Sequence, residues 1–584
     1  MNDPSARPAM RRLAAVALLA GAALLGGACR RAAAPAAPAR FVFSMQTEPT
    51  TLNFVTATDA ASMLVERLLS DFLVDHDRSL KIVPRLAESW DWSADHRTLT
   101  FHLRAGVRFH DGRPLTSDDV LFTYERLIDP KSKAVGRLDS FLPVESVTAP
   151  DARTVVVRYR EPYAPALRTW EIPILPAHRY RGVDFETAPE NRAPIGAGPY
   201  RFEAWDSGSR IVLRRNDDYW GERPAIDEFV FRFQPSLDTS LLSLLAGETD
   251  YTKITATAWG TRRQDPAFVS RYKVLTFTPL FFYYIAWRGD GSNPYFADPL
   301  VRRALGSALD REGYIRSVLQ GLGSPVRDPL SLLLPGMPAV PATPPIPGKS
   351  GPAADAVAPA VPKADAGAPA GPSADAGPAG AAGASATLFD PDRAAQLLDE
   401  AGWRLDRRTG LRARGGRPFR FTLLVFAGGE DHVQFAQVAQ DTLRRIGVEM
   451  RVEKLDWPAL WSRLKSGQFE AALSGTSPSP DPDSLYGMLH SSQIGGGQNY
   501  AAYRDAEVDR WLEEGRRELD PARRDAVYRR IAARLDEAQP YTTLFSPSVV
   551  GVLNSHFEGA EPSPQGILGH VPGALAIRPA SGGR

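Results

Sequence analysis

The chain is predicted to be a mixed α/β protein built as more than one lobe, on three observations. Its earlier part carries many short segments that alternate apolar and polar residues, as strands with one buried face do. A later part switches, over short connections, between that two-residue period and the period of amphipathic helices. Between them lies a stretch, residues 335–386, with no aromatic residue and little besides Ala, Pro, Gly, Ser and Asp.

In chain order, Leu99, Phe101 and Leu103 alternate, as do Ile211 with Leu213, and Phe229, Phe231 and Phe233. Helical patches at 117–127 and 300–309 are interspersed among them. Asp118-Asp119 reads as a helix start and Asp217-Asp218 as a turn, where carboxylates suit exposed N–H groups. The stretch 335–386, with its echo Lys363-Ala-Asp-Ala-Gly and Ser373-Ala-Asp-Ala-Gly, cannot bury enough apolar surface to offset its ordering entropy. It is expected to be a disordered or loosely extended surface loop.

Regular patterns resume at Asp390-Pro391, an N-cap followed by proline at the first helical position. Ala394, Leu397, Leu398 and Ala401 then mark one helical face, ended by Gly402. Phe419, Phe421, Leu423 and Val425 predict a strand, and Phe435, Val438, Thr442, Leu443 and Ile446 a helix stopped by Gly447. Val448, Met450 and Val452 predict a second strand. Strand, helix, strand over short connections is a βαβ unit, so this lobe is expected to contain parallel sheet. Trp457, Leu460, Trp461 and Leu464 mark a further helix.

Composition narrows the function. The net charge of +1 gives no bulk attraction to nucleic acid or anionic lipid. The single cysteine, Cys29, excludes intramolecular disulfides, so stability must come from core burial. Cys29 ends an uncharged run, residues 13–28, that Arg7, Arg11 and Arg12 precede. The run falls short of the roughly 20 residues a spanning helix needs, so it reads as a secretory signal. The placement of Cys29 resembles a bacterial lipoprotein signal, although Gly26 stands where that pattern prefers an aliphatic residue. The resemblance implies cleavage after residue 28, lipidation of Cys29, and an exported protein tethered to the membrane in the periplasm or at the cell surface.

Enzyme motifs are missing: the chain has no G-x-S-x-G, no H-E-x-x-H and no cysteine nucleophile in its body. Gly348-Lys349-Ser350 imitates the end of a phosphate loop, but Thr343 occupies the position of its first glycine. The nine histidines show no ligand-like spacing. No cofactor or metal is therefore expected, and binding is favoured over catalysis.

Several collinear blocks resemble the bacterial extracellular solute-binding proteins of family five, the oligopeptide-, dipeptide- and nickel-binding components of ABC importers. The strongest spans residues 84–127, with Leu86-Ala-Glu-Ser-Trp90, Phe109-His-Asp-Gly112 and Asp118-Asp-Val120. Others are Glu48-Pro-Thr-Thr-Leu52-Asn53, Gly198-Pro-Tyr200, Tyr219-Trp220-Gly221, Gly247-Glu-Thr-Asp250 and Val301-Arg-Arg-Ala-Leu305. Gly112, Gly198 and Gly221 suit tight turns, and Trp90 and Trp220 suit core anchors. The resemblance implies a two-lobed periplasmic-binding-protein fold (type II, three-domain variant) with a hinge. Domain I would comprise about 40–70, 195–280 and 545–584, domain II 71–194, and domain III 281–544, interrupted by the 335–386 linker. The strand opening Phe281-Phe-Tyr-Tyr and the return segment 541–552 would be the two crossings.

The implied function is a receptor, not an enzyme, that captures a peptide or peptide-like solute between the lobes for an ABC permease and ATPase. The alternative is a binding protein of the same fold for a sugar, an opine or a metallophore, or one with a sensory or chaperone role. Ligand contacts are expected at Thr58, Asp59, Tyr283, Ser474, Thr476, Asp481 and Asn499. Peptide-binding members usually carry an acid and a tryptophan just before a D-P-D-like turn, where the acid pairs with the peptide ammonium. Here the turn is Asp481-Pro482-Asp483, and the preceding stretch, residues 474–480, contains neither. Asp481 and Asp59 are the candidate substitutes.

If Cys29 carries the tether, Cys29→Ser should move the protein from the membrane pellet to the soluble fraction of fractionated cells. Retention of the variant in the pellet would show that the anchor lies elsewhere.

Overall fold

The computed structural model describes residues 38–132, 138–334 and 389–581. Cys29, the signal and the 335–386 stretch lie outside them. No helix among the described residues is long and apolar enough to cross a membrane.

Three sheets organise the chain. The largest has seven strands, in the order Tyr272–Phe277, Val549–Asn554, Tyr251–Ile254, Arg40–Met45, Glu228–Phe233, Arg210–Arg215 and Tyr200–Asp206. Its three central strands, beginning at 251, 40 and 228, run parallel. The alternating Phe229 and Phe231 face Phe41, Phe43 and Tyr251 in one core. A four-stranded antiparallel sheet, Ala87–Trp92, Thr98–Leu103, Thr154–Tyr159 and Val144–Asp151, covers a second core around Phe101 and Trp170.

The second lobe is built on five strands in the order Glu449–Leu455, Arg420–Phe426, Ala471–Thr476, Phe282–Trp287 and Tyr541–Thr543. The first three are parallel, and the helix Glu430–Arg445 connects the first pair, which is the expected βαβ unit. Both faces are covered: Tyr283, Ile285 and Trp287 point into one core, and Phe282, Tyr284 and Ala286 into the other. That is why Phe282–Trp287 is buried at every position and shows no alternation in sequence.

Helix ends follow their caps. Asp390 accepts from the Arg393 N–H with Pro391 at the first position, and Thr116 with Asp119 forms a capping box. The helix that begins the βαβ crossover starts at Glu430, ahead of the apolar face that signals it, and Ala436 and Ala439 are buried where Val438 and Thr442 are only half-buried. Trp457 departs from expectation. It is the first residue of its helix and 47% exposed, lying against Phe426 and Trp461 rather than in the core.

The signature blocks meet one another. The Phe109–Gly112 turn docks on the Gly198-Pro-Tyr200 block: the His110 N–H donates to Gly196 O at 2.8 Å, and its ring spans Gly196 N at 3.1 Å and Gly198 O at 3.1 Å. Burial holds the His110 imidazole neutral, pushing its pKa down to about 4. Buried Asp71 accepts from Arg85 (2.9 Å), Tyr219 (3.1 Å) and Trp220 (2.7 Å), tying blocks 150 residues apart into one network. Trp220 therefore serves as a hydrogen-bond donor at the edge of the core, and Trp90 is likewise only half-buried.

Gly112 takes a turn with φ +85°, but Gly198 is required for a different reason. A Cβ there would lie 2.6 Å from the Leu69 carbonyl carbon and 2.7 Å from Leu68 O, both backbone atoms. Gly198→Ala should destabilise the protein by about 1–3 kcal/mol, as overpacking against an unyielding wall does. Chemical denaturation with an unchanged midpoint would show that the helix end can shift.

Candidate functional site

The lobes are joined by two extended crossings that run side by side, residues 278–281 and 547–549. Thr278 Oγ1 lies 3.1 Å from Ser548 Oγ, and Ser546 Oγ donates to Pro279 O at 3.3 Å. The expected crossings were broader. The Phe282–Trp287 strand and the segments to 547 belong wholly to the second lobe, and Val549–Asn554 to the first. Pro279 and Pro547 fix φ on each crossing and leave few soft torsions between the lobes.

The parallel strands of both sheets end at the gap. Residues Leu237 and Asp238 follow the Glu228–Phe233 strand, Lys253 and Ile254 end the Tyr251–Ile254 strand, and Gly429 and Asp431 follow Arg420–Phe426. In open α/β sheets, the carboxyl ends of parallel strands are where ligands bind. A cavity of about 610 Å³ lies there, lined from the first lobe by these residues and Thr255–Ala258, and from the second by Tyr283, Leu319, Gln434 and the 547–549 crossing. Its size is within the roughly 300–1,000 Å³ of small-ligand sites.

Tyr283 is the only one of the expected ligand residues that lines this cavity. Its ring packs edge-on to Phe281 and His432, at centroid distances of 4.8 and 4.6 Å. Burial pushes the Tyr283 hydroxyl pKa up and the His432 pKa down to about 4, so both groups are neutral.

A second cavity of about 220 Å³ lies where the four-stranded half of the first lobe touches the second. There the Ala164 N–H donates to Arg516 O at 2.7 Å, Tyr163 donates to Asp483 at 3.3 Å, and Arg517 pairs with Glu161 at 2.7 Å. Arg516 stacks on Tyr486 and binds Asp483 at 2.7 Å. Burial pushes the Asp483 carboxyl pKa up, against the pull of Arg516.

Asp481 lines this smaller cavity, but Arg524 grips it with two bonds of 2.9 and 2.7 Å, and it caps the short Pro482–Leu485 turn. Asp59 caps the Ala60–Leu69 helix, accepting from the Ser62 N–H (2.8 Å), Ser62 Oγ (2.6 Å) and Thr50 (2.5 Å). Burial raises its pKa, and these bonds outweigh burial and hold the carboxyl below its ordinary value. Thr58 is exposed beside it and lines neither cavity.

Asn499 is buried, with its amide donating to the Leu489, His490 and Tyr503 carbonyls. Ser474 pairs in register with Tyr284 on the face turned away from Tyr283, and Thr476 ends that strand at Phe282. Between them Gly475 is a close-approach site, because a Cβ there would meet the Phe281 ring at 2.3 Å. Phe281 thus fills the space over the small-residue stretch 474–476.

Among the described residues, Asp75, His76 and Glu171 form a group that could hold a metal. Arg67 already lies 2.9 Å from Asp75 and 3.8 Å from Glu171, and His76 bonds Glu171 at 2.5 Å. Arg67 already places a cation beside both carboxylates, so the cluster reads as a buried ion-pair network. Sequence spacing missed it because 95 residues separate His76 from Glu171. Sequence reasoning also missed Lys253, Asp238, Asp431 and Tyr163. Only the exposed Lys253 in an otherwise buried strand is visible as a local signal.

A profile described as bacterial extracellular solute-binding proteins, family 5 Middle, matches residues 81–497. The oligopeptide-binding protein AppA of Bacillus subtilis is 30% identical over 534 residues, covering 90% of this chain and 89% of that protein. The di/tripeptide-binding protein 1 of Pseudomonas aeruginosa is 25% identical over 591 residues, covering 96% and 98%. The structure of Bacillus subtilis AppA in complex with a nonapeptide superposes with a TM-score of 0.72, at 28% identity, over 93% of this chain and all of that one.

Proposed function

Because the chain belongs to the bacterial extracellular solute-binding proteins of family 5, we propose that it is the receptor of an ABC importer and holds a peptide or peptide-like solute between its lobes. The observation that carries this reading is the 610 Å³ cavity at the carboxyl ends of the parallel strands of both sheets, beside the paired crossings. A ligand there touches both lobes and is enclosed by their hinge closure. Main-chain bonds to an extended peptide supply affinity, and roomy side-chain pockets leave specificity loose. Its partners are a permease and an ATPase, and lipidation of Cys29 places it at the membrane. It binds its cargo without transforming it.

The second reading, a non-peptide cargo, is favoured by the state of the two candidate acids. Asp481 is neutralised by Arg524 and Asp59 is spent on a helix cap, so neither offers a free carboxylate to a peptide ammonium. A buried ammonium without a paired charge is strongly disfavoured, so a peptide N-terminus would have to pair with Asp238 or Asp431 on the larger cavity. Ligand residues proposed on the larger cavity are Tyr283 and the 253–258 wall.

Native mass spectrometry of the purified protein should release cargo whose masses decompose into amino-acid residues. A single mass of another composition would select the second reading. For a peptide cargo, Asp481→Asn and Asp59→Asn should each change affinity by less than about tenfold, which is about 1.4 kcal/mol in calorimetry. A larger loss would show that the replaced acid is an ammonium partner after all.

A further inference from the structure

Among the described residues, Lys253 is the sole basic side chain on the wall of the larger cavity. It belongs to the central parallel part of the seven-stranded sheet, where its neighbours Thr252 and Ile254 are buried and its own side chain points into open space. Its cross-strand partner is Gly551, which has no side chain to cover it. Among the described residues its ammonium makes no hydrogen bond and no ion pair. The arginines of the smaller cavity contrast with it, since Arg516 binds Asp483 and a neighbouring arginine, Arg524, binds Asp481.

A lysine that reaches water on a convex surface needs no partner. Lys253 is different because it opens into the cavity between the lobes and not onto a convex surface, and the surrounding protein lowers its pKa from that of an ordinary lysine by desolvation. The ammonium is held by no ion pair, so its charge is available to a ligand that enters the cavity.

We propose that Lys253 is the anion anchor of the cleft, so that the cargo carries a carboxylate which the ammonium receives in the larger cavity. This rests on the reading of that cavity as the cargo site. The other charges on the wall narrow the class. Asp238 and Asp431 line the same cavity, and their carboxylates repel a ligand bearing several negative charges. The complement is a solute with one carboxylate and an otherwise neutral or cationic body, a description that fits the C-terminus of a short peptide and also a non-peptide amino acid derivative. A lysine is a compact point charge that can follow a carboxylate as the lobes close, whereas a guanidinium fork demands one planar geometry.

The test is a competition in which every ligand is offered in two forms. Stripped full-length protein is incubated with a synthetic library of short peptides, each present equally as free acid and as C-terminal carboxamide. A set of N-acyl amino acids, each with its amide, is included. Wild type should retain free acids over amides by at least about tenfold, in line with the coupling of close charge pairs. Lys253→Met should reduce that ratio to near one, and Lys253→Arg should keep most of it, with thermal melting checking that both variants fold. Equal retention of peptide acids and amides by wild type overturns the Lys253 proposal and leaves the peptide receptor standing. Retention of N-acyl amino acids alone, lost in Lys253→Met, supports the Lys253 proposal and removes the peptide reading. An acid preference that survives Lys253→Met overturns the proposal, as does retention of nothing.

Discussion

The two crossings are the constraint on which the functional geometry depends. The chain passes between the lobes twice, and with Thr278 and Ser548 within hydrogen-bonding distance the two passages form one narrow connection. The strands that end beside this connection, from both sheets, therefore face the same gap. A ligand in that gap is held by whichever loops follow those strand ends, and the loops can vary without disturbing the sheets that aim them. The four-stranded half of the first lobe adds a second contact far along the chain, through Tyr163, Asp483 and Arg516.

Several of the residues that identify the family hold this frame together. His110 clamps the turn of one block onto the glycine backbone of another, and Asp71 gathers Arg85, Tyr219 and Trp220. Both networks sit where the chain leaves and re-enters the seven-stranded sheet. Gly198 belongs with them through close backbone approach. These blocks of the signature encode how the first lobe is assembled.

Legibility in the sequence followed the physics of burial. The strands with one buried face, around Phe101, Leu213 and Phe231, showed their alternation, and the βαβ unit of the second lobe showed its change of period. Asp390-Pro391 gave its helix start directly. The Phe282–Trp287 strand is buried on both faces and has no period to read, so the sequence does not mark where the crossing ends and the strand begins. Trp457 misled because an aromatic residue at helical spacing reads as core, whereas it sits at a helix start beside Phe426 and Trp461. The site was far less legible. Tyr283 reached the cavity, but Asp481 and Asp59 could be seen only as acids near the right turns, not as acids already bonded by Arg524 or by Ser62 and Thr50. Lys253 becomes meaningful only when residues 237, 429 and 548 surround it, and no local pattern joins those positions.

The charge state of the cleft follows from the same arrangement. The smaller cavity is internally balanced, acid against guanidinium, and it serves the contact between lobes. The larger one holds an unpaired lysine, Lys253, together with Asp238, Asp431 and neutral Tyr283. Its free energy is lowered by a ligand that bridges the lobes, and this couples binding to closure. Small-angle X-ray scattering on the stripped protein, before and after its own recovered cargo is returned, tests that coupling most directly. The account predicts a smaller radius of gyration on return of the cargo; an unchanged radius at saturating cargo would contradict it.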